Sequence, residues 1–301
     1  MSRYLDAVNE VLVREAGRHP GLLQFGENIR QGSRVCGLAR NLAGHLLTVG
    51  NCENTHVGVG LGMMIEGGEA LLVVKQLDFL LLAADQLVNT MNLVRASGRD
   101  ASTLGSFTIL AIVCDQGWQG PQSSFHDLAG LCSLARVDGF HINGAGDAER
   151  ILSRHLVRPG FRLIAVSQRR FGEQCLELPV MGGAEGDAEL QYLEGRDATV
   201  AAFGFALPHA VAEVERLRRQ GLHPALFGLN PVWPHGWRLT AASAARSGRL
   251  VVLDDARGAV SQAHKLASQV LRAAPGCHVT SHAREHEGEC ALHGDRFEVA
   301  A

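Results

Sequence analysis

Short apolar runs of strand character alternate with segments of helical period along almost the whole chain. The strand-type runs are Leu22–Phe25, Ala70–Val74, Phe107–Val113, Phe161–Val166, Thr199–Phe203, Pro224–Phe227, Leu250–Leu253 and Cys277–Thr280. Helical patterns lie between them at Tyr4–Ala16, Thr55–Ile65, Phe79–Val94, Ala148–His155, Pro208–Gln220, Thr240–Ser247 and Ala259–Ala273. Such alternation predicts an α/β fold with mostly parallel sheets. Helices on both faces would account for the continuous apolar character of the strands. The stretch Met181–Asp197 breaks the rhythm. It is acidic, holds Gly182, Gly183, Gly186 and Gly195, and has no hydrophobic period. This predicts two three-layer α/β domains, residues 1–182 and 198–301, joined by a linker over 183–197.

The bulk composition fits this picture. The chain has 301 residues, 46% apolar and 20% charged, which suits two globular domains. A formal net charge of −3 gives no reason to expect nucleic acid or an anionic membrane as partner. Seven cysteines are scattered without a CxxC pair, as expected of reduced thiols in a cytoplasmic protein. Asp6, Glu10 and Glu15 make the N-terminal segment an amphipathic helix rather than a signal peptide. No apolar run is long enough to span a bilayer.

Chemistry concentrates between Gly50 and Arg95. Glu53 stands at the mouth of a helix, and Gly58, Gly60 and Gly62 follow within it. Glycine in a helix costs about 1 kcal/mol relative to alanine. Three of them imply a close approach by another backbone or a ligand. A Gly-rich helix packed tightly on a sheet would have the same pattern. Next comes Leu77-Asp78-Phe79, then a segment apolar on nearly every side up to Asp85, Gln86 and Asn89. A helix of that kind is buried in a core or in a subunit interface.

This stretch resembles the pyrimidine-binding domain of the transketolase superfamily, in particular the beta subunit of 2-oxo acid dehydrogenase decarboxylase components. In that family a Glu is followed by Gly five and nine residues later, a spacing kept by Glu53, Gly58 and Gly62. An aromatic residue then precedes an Asp-Gln pair by six residues, as Phe79 precedes Asp85-Gln86. More weakly, Asp197–Gly258 resembles the family's C-terminal domain. Its strand Leu250–Leu253 ends in Asp254-Asp255.

The resemblance implies a thiamine-diphosphate enzyme. Glu53 would hydrogen-bond the aminopyrimidine ring, Phe79 would stack on it, and Gly58, Asp78 and Gln86 would complete the cofactor contacts. A histidine that contacts substrate is expected after the strand Phe107–Val113, in the loop Asp115–His126. Counting from Gly120-Pro121 puts it at Ser123, and counting back from Gly139 puts it at His126. His126 is the candidate acid/base group or oxyanion donor.

The family's diphosphate element, Gly-Asp-Gly followed by Asn, is not found. The pairs Gly146-Asp147, Gly186-Asp187 and Gly294-Asp295 are not followed by glycine. The diphosphate and Mg²⁺ would therefore be held mainly by an alpha-type partner subunit, in an α2β2 heterotetramer. The implied reaction decarboxylates a 2-oxo acid, or cleaves a ketose, and transfers the acyl or ketol unit. Alternatives are a split transketolase-like enzyme of a biosynthetic pathway and a non-catalytic subunit that kept the fold. In the tail, His278, His282, His286, Cys290 and His293 could suggest a metal, but the strand reading and the acidic neighbours favour a solvated segment. Arg169-Arg170, after a strand of the first domain, could touch a phosphorylated or carboxylated substrate but reads better as a surface pair.

Overall fold

The computed structural model describes residues 2–98, 100–115, 126–256, 261–284 and 297–300. The chain divides into two compact units. The first takes in residues up to 125 and 131–177, and the second takes in 178–301 together with the short segment His126–Gly130.

The first unit is built on a six-stranded, wholly parallel sheet. Its strands are β1 (Leu23–Gly26), β2 (His45–Thr48), β3 (Glu69–Val74), β4 (Ser106–Val113), β5 (Asp138–His141) and β6 (Gly160–Ser167). Their spatial order is β2-β1-β3-β4-β6-β5. Every residue of β4 is buried, which explains its uninterrupted apolar run. The helices α1 (Tyr4–Gly17), α2 (Glu53–Ile65), α3 (Met91–Ala96), α4 (Leu128–Ala135) and α5 (Ala145–His155) follow in chain order. Helix α2 lies so close to the sheet that a Cβ on Gly60 would stand 2.2 Å from the ring of Phe107. Tight packing on the sheet therefore explains Gly60, whereas a Cβ on Gly62 would meet nothing of the described chain within 4 Å.

In the second unit the strands are β7 (Gly182–Gly183), β8 (Glu189–Leu193), β9 (Ala198–Phe203), β10 (Pro224–Leu229), β11 (Arg249–Asp254), β12 (His278–Arg284) and β13 (Phe297–Ala300). They are ordered β13-β12-β11-β9-β10-β8-β7. The central four are parallel, while β7, β8 and β13 pair antiparallel. Its helices are α6 (Leu207–Arg219), α7 (Arg238–Ser247) and α8 (Gln262–Ala273). The core gathers Phe203, Phe227, Trp237, Val252, Leu266 and Val270.

Three findings differ from the sequence reading. The stretch Met181–Asp197, read as a linker, carries β7 and β8, and both belong to the C-terminal sheet. Within it Glu189, an acidic residue at a strand start, is 1% exposed because its carboxylate has a structural task. It accepts hydrogen bonds from the Leu239 and Thr240 amides at 3.0 and 2.6 Å and from the Thr240 hydroxyl at 2.7 Å. It thereby caps the first turn of α7 from across the sheet.

The predicted helix Phe79–Val94 is instead a succession of windings. A 3-10 stretch over Leu77–Ala83 passes into a π turn over Asp85–Thr90 and then into α3. Nor is it buried all round: Leu81, Leu82 and Leu93 are 50, 67 and 70% exposed. Of the two burial readings, the core reading therefore falls. Asp85 and Asn89 are exposed as well, and they pair with each other at 2.8 Å.

The Arg169-Arg170 pair is not a surface pair. Arg170 is 2% exposed and lies over the ring of Tyr4 at 5.0 Å. Arg169 faces Asp115 at 3.6 Å. Among the described residues no helix is long and apolar enough to cross a membrane.

Candidate functional site

Ligands of parallel sheets gather at the carboxyl ends of the strands, and the candidate residues of the first unit cluster around α2 and the turn after β3. Glu53 opens α2, where the helix dipole favours a negative charge. It is 9% exposed, and its side chain has no hydrogen-bond or ion-pair partner among the described residues. A carboxylate so placed can accept a hydrogen bond from a ligand's donor. Helix α2 packs against both the 3-10 stretch and the π turn that follow β3. This brings Gly58 beside Gln86: a Cβ on Gly58 would stand 3.5 Å from the Gln86 amide carbon.

Phe79 lies half-buried in the first turn of the 3-10 stretch. Its neighbour Asp78 is 5% exposed, and neither of its carboxylate oxygens has a hydrogen-bond partner among the described residues. Burial pushes the Asp78 carboxyl up to about 6. Burial first, and the Asp78 charge second, push the Cys114 thiol up to about 12. The change of winding between Phe79 and Gln86 is itself suggestive, since π turns gather at functional sites.

Next along the sheet, Asp115 follows β4. Its carboxylate accepts from the Ser167 hydroxyl at 2.5 Å and from the Arg169 amide at 2.9 Å. Burial raises its pKa, an effect opposed by Arg169. The rest of the loop expected to contact substrate, including Ser123, lies outside the described residues.

The loop's end is described, and it belongs to the second unit. His126 is 2% exposed and sits beyond the adjacent parallel strands β9 and β11. Its ring stacks on Phe205 with centroids 5.3 Å apart and planes at 26°. Its Nδ1 faces Oδ2 of the fully buried Asp255 at 3.5 Å. Gly204, at φ +62°, lets both approach, since a Cβ there would stand 3.3 Å from the Asp255 Cβ and 3.4 Å from the His126 Cε1.

The adjacent Asp254 is engaged otherwise. It accepts from the Ser261 hydroxyl at 2.5 Å and from the Ala256 and Ala263 amides at 3.0 and 3.2 Å, ordering the entry to α8. Sequence reasoning missed Asp255, Gly204 and Phe205 as neighbours of His126. The Asp254-Asp255 pair at the strand end was the available signal, but no spacing rule ties it to a histidine so far away in sequence.

Among the described residues no group of His, Cys, Asp or Glu is arranged to hold a metal ion. His278 and His282 lie on β12, while His286, Cys290 and His293 fall outside the described residues.

Residues 186–280 match the family model of the transketolase C-terminal domain. Superposition agrees over nearly the whole chain. A split-gene transketolase, solved as an inactive beta4 tetramer, aligns at a TM-score of 0.72 over 96% of this chain and 90% of its own, with 17% identity. The transketolase of Campylobacter jejuni subsp. jejuni aligns at 0.70 over 95% of this chain and 43% of its own, with 13% identity. The chain thus has the transketolase fold, and residues 186–280 of its second unit match the transketolase C-terminal domain.

The particular relatives narrow this. The chain is similar to the pyruvate dehydrogenase E1 component subunit beta of Rhizobium meliloti, at 21% identity over 89% of this chain, and it spans 60% of that relative's length. It is also similar to the acetoin:2,6-dichlorophenolindophenol oxidoreductase subunit beta of Cupriavidus necator, at 23% identity over 90% of this chain and 84% of that one.

Proposed function

We propose that the chain is the beta-type subunit of a thiamine-diphosphate enzyme acting on a 2-oxo acid or ketose, its active site shared with a diphosphate-binding partner. The observation that carries this reading is Glu53: a glutamate only 9% exposed, with no hydrogen-bond or ion-pair partner among the described residues, at the mouth of a Gly-rich helix in a transketolase fold. An acceptor of this kind suits a protonated ring nitrogen of an aminopyrimidine. Phe79 supplies an apolar wall for the ring, and Gly58 keeps the helix backbone open beside Gln86. Thiamine diphosphate, when bound, supplies the nucleophilic carbon that cleaves the substrate.

Glu53 holds the ring by one hydrogen bond and tunes its proton affinity, while Phe79 fixes its plane. His126 exchanges protons with the substrate. A diphosphate with its Mg²⁺ needs hard oxygen ligands and backbone amides. The Gly-Asp-Gly element that would supply them in the family the sequence resembles is not found in this sequence, which is why a second subunit is part of the reading. The exposed Leu81, Leu82 and Leu93 give that subunit an apolar surface to cover. Transfer of an acyl group to a carrier and transfer of a ketol unit to an aldehyde are the two variants. The beta-subunit relatives support the first and the split-transketolase likeness supports the second.

The deciding experiment is co-purification with a diphosphate-binding partner, followed by titration with thiamine diphosphate and Mg²⁺ and assay on 2-oxo acids and ketoses. Saturable binding and turnover are expected. Glu53→Gln should lower kcat at least about 100-fold. An unaltered kcat in that variant would strip Glu53 of its part in proton transfer.

A further inference from the structure

We propose that Asp255 is the positioning residue of His126, holding the imidazole through Nδ1 so that Nε2 is the nitrogen offered to the substrate. This rests on the reading of His126 as the proton-exchanging group. The geometry carries it. The two side chains are 2 and 0% exposed, and buried charged or polar groups keep a partner because desolvation is costly. Their 3.5 Å separation is an ion-pair distance, longer than a tight hydrogen bond. Catalytic contacts are commonly loose until substrate arrives.

The imidazole is also confined on its other sides. Phe205 covers one face, and the Gly204 backbone lies against its Cε1 edge. A ring so enclosed keeps one orientation, and the carboxylate selects the tautomer.

Two other carboxylates lie near this site, and both are committed elsewhere. Asp254 orders the start of α8 through two amides and a hydroxyl. Asp127 accepts from the Gly130 amide at 2.7 Å, and its carboxyl is pushed up by burial, with the Asp254 charge adding to it. Asp255 is the one whose oxygen lies within ion-pair distance of Nδ1.

In the neutral ring, a proton on Nδ1 faces Asp255 and leaves the Nε2 lone pair to act as the base. When Nε2 takes a proton from a substrate hydroxyl, the imidazolium so formed is balanced by the Asp255 carboxylate. The proton returns along the same path to the product. No other atom changes its bonding at this dyad.

The test uses the full chain labelled with ¹⁵N-histidine, the His126 signals being identified by their loss in His126→Gln. In the wild-type chain, the nitrogen shifts of neutral His126 should report the Nδ1–H tautomer. Asp255→Asn should move them toward Nε2–H, and Asp255→Glu should restore them at least in part. With the partner subunit, Asp255→Asn should lower kcat about 10²–10⁴-fold with KM little changed. A wild-type Nε2–H tautomer overturns the proposal even if Asp255→Asn fails to fold. So do His126 shifts that are the same in folded Asp255→Asn as in wild type. The tautomer response without any turnover by the wild-type pair would leave the dyad standing and defeat the enzymatic reading instead.

Discussion

Asp78 carries the clearest electrostatic consequence of burial in the first unit. Its carboxyl has a raised pKa of about 6 against an ordinary 3.8, so the folded chain binds this proton more tightly than the unfolded chain. The associated stability is fully present below about pH 4 and is lost as pH rises through 6. Above that, a buried charge without a hydrogen-bond partner among the described residues remains. Asp78→Asn should therefore raise stability at pH 8 by about 2 kcal/mol and leave it nearly unchanged at pH 4. Urea denaturation at the two pH values measures the difference, and equal gains at both would contradict it. Gly60 makes a steric prediction of the same locality. With a Cβ due 2.2 Å from the Phe107 ring, Gly60→Ala should cost about 1–3 kcal/mol. Gly62→Ala, with open space around it, should show no such cost.

Elements are tied together by groups that a reading of hydrophobic period cannot register. Arg162 on β6 is 1% exposed and donates to Ser106 Oγ, Thr108 Oγ1 and the carbonyls of His155, Arg158, Pro159 and Gly160. It thus closes the end of α5 onto β4 and β6 with neutral acceptors. Burial, seconded by repulsion from Arg158, lowers its pKa to about 9. Arg162→Met should cost about 3 kcal/mol by leaving those oxygens unanswered, as thermal unfolding would report.

The central strands were legible because β4, β9 and β11 are continuous apolar runs. The edge strands β2 (His-Leu-Leu-Thr) and β5 (Asp-Gly-Phe-His) were not, since neither carries an apolar run of more than two residues. Strand β8 was masked by its glycine-rich and acidic surroundings. In the candidate site, the closeness of Gly58 to Gln86 could be anticipated because both lie within one stretch of chain. The partnership of His126 with Asp255 could not, because it spans well over a hundred residues. The windings between Leu77 and Thr90 were equally hidden. Periodicity near 3.6 does not separate an α-helix from a 3-10 stretch passing into a π turn.

For the molecule as a whole, the exposed leucines of the Leu77–Ala96 region predict that association should respond to charge placed there. Leu82→Asp should weaken assembly with the partner subunit at least about tenfold while leaving the isolated chain's Tm within a few degrees. Analytical ultracentrifugation of the mixture and a thermal scan of the chain test the two halves separately. Unchanged assembly would place the interface elsewhere. The Glu189 carboxylate has a different bearing, on where this polypeptide can be divided. A cleavage or gene fission at Asp197, in the stretch that looks most like a hinge, would strand the N-terminus of α7 on the wrong fragment from its acceptor. Any severed form of the protein that keeps a sound second unit must break upstream of β8.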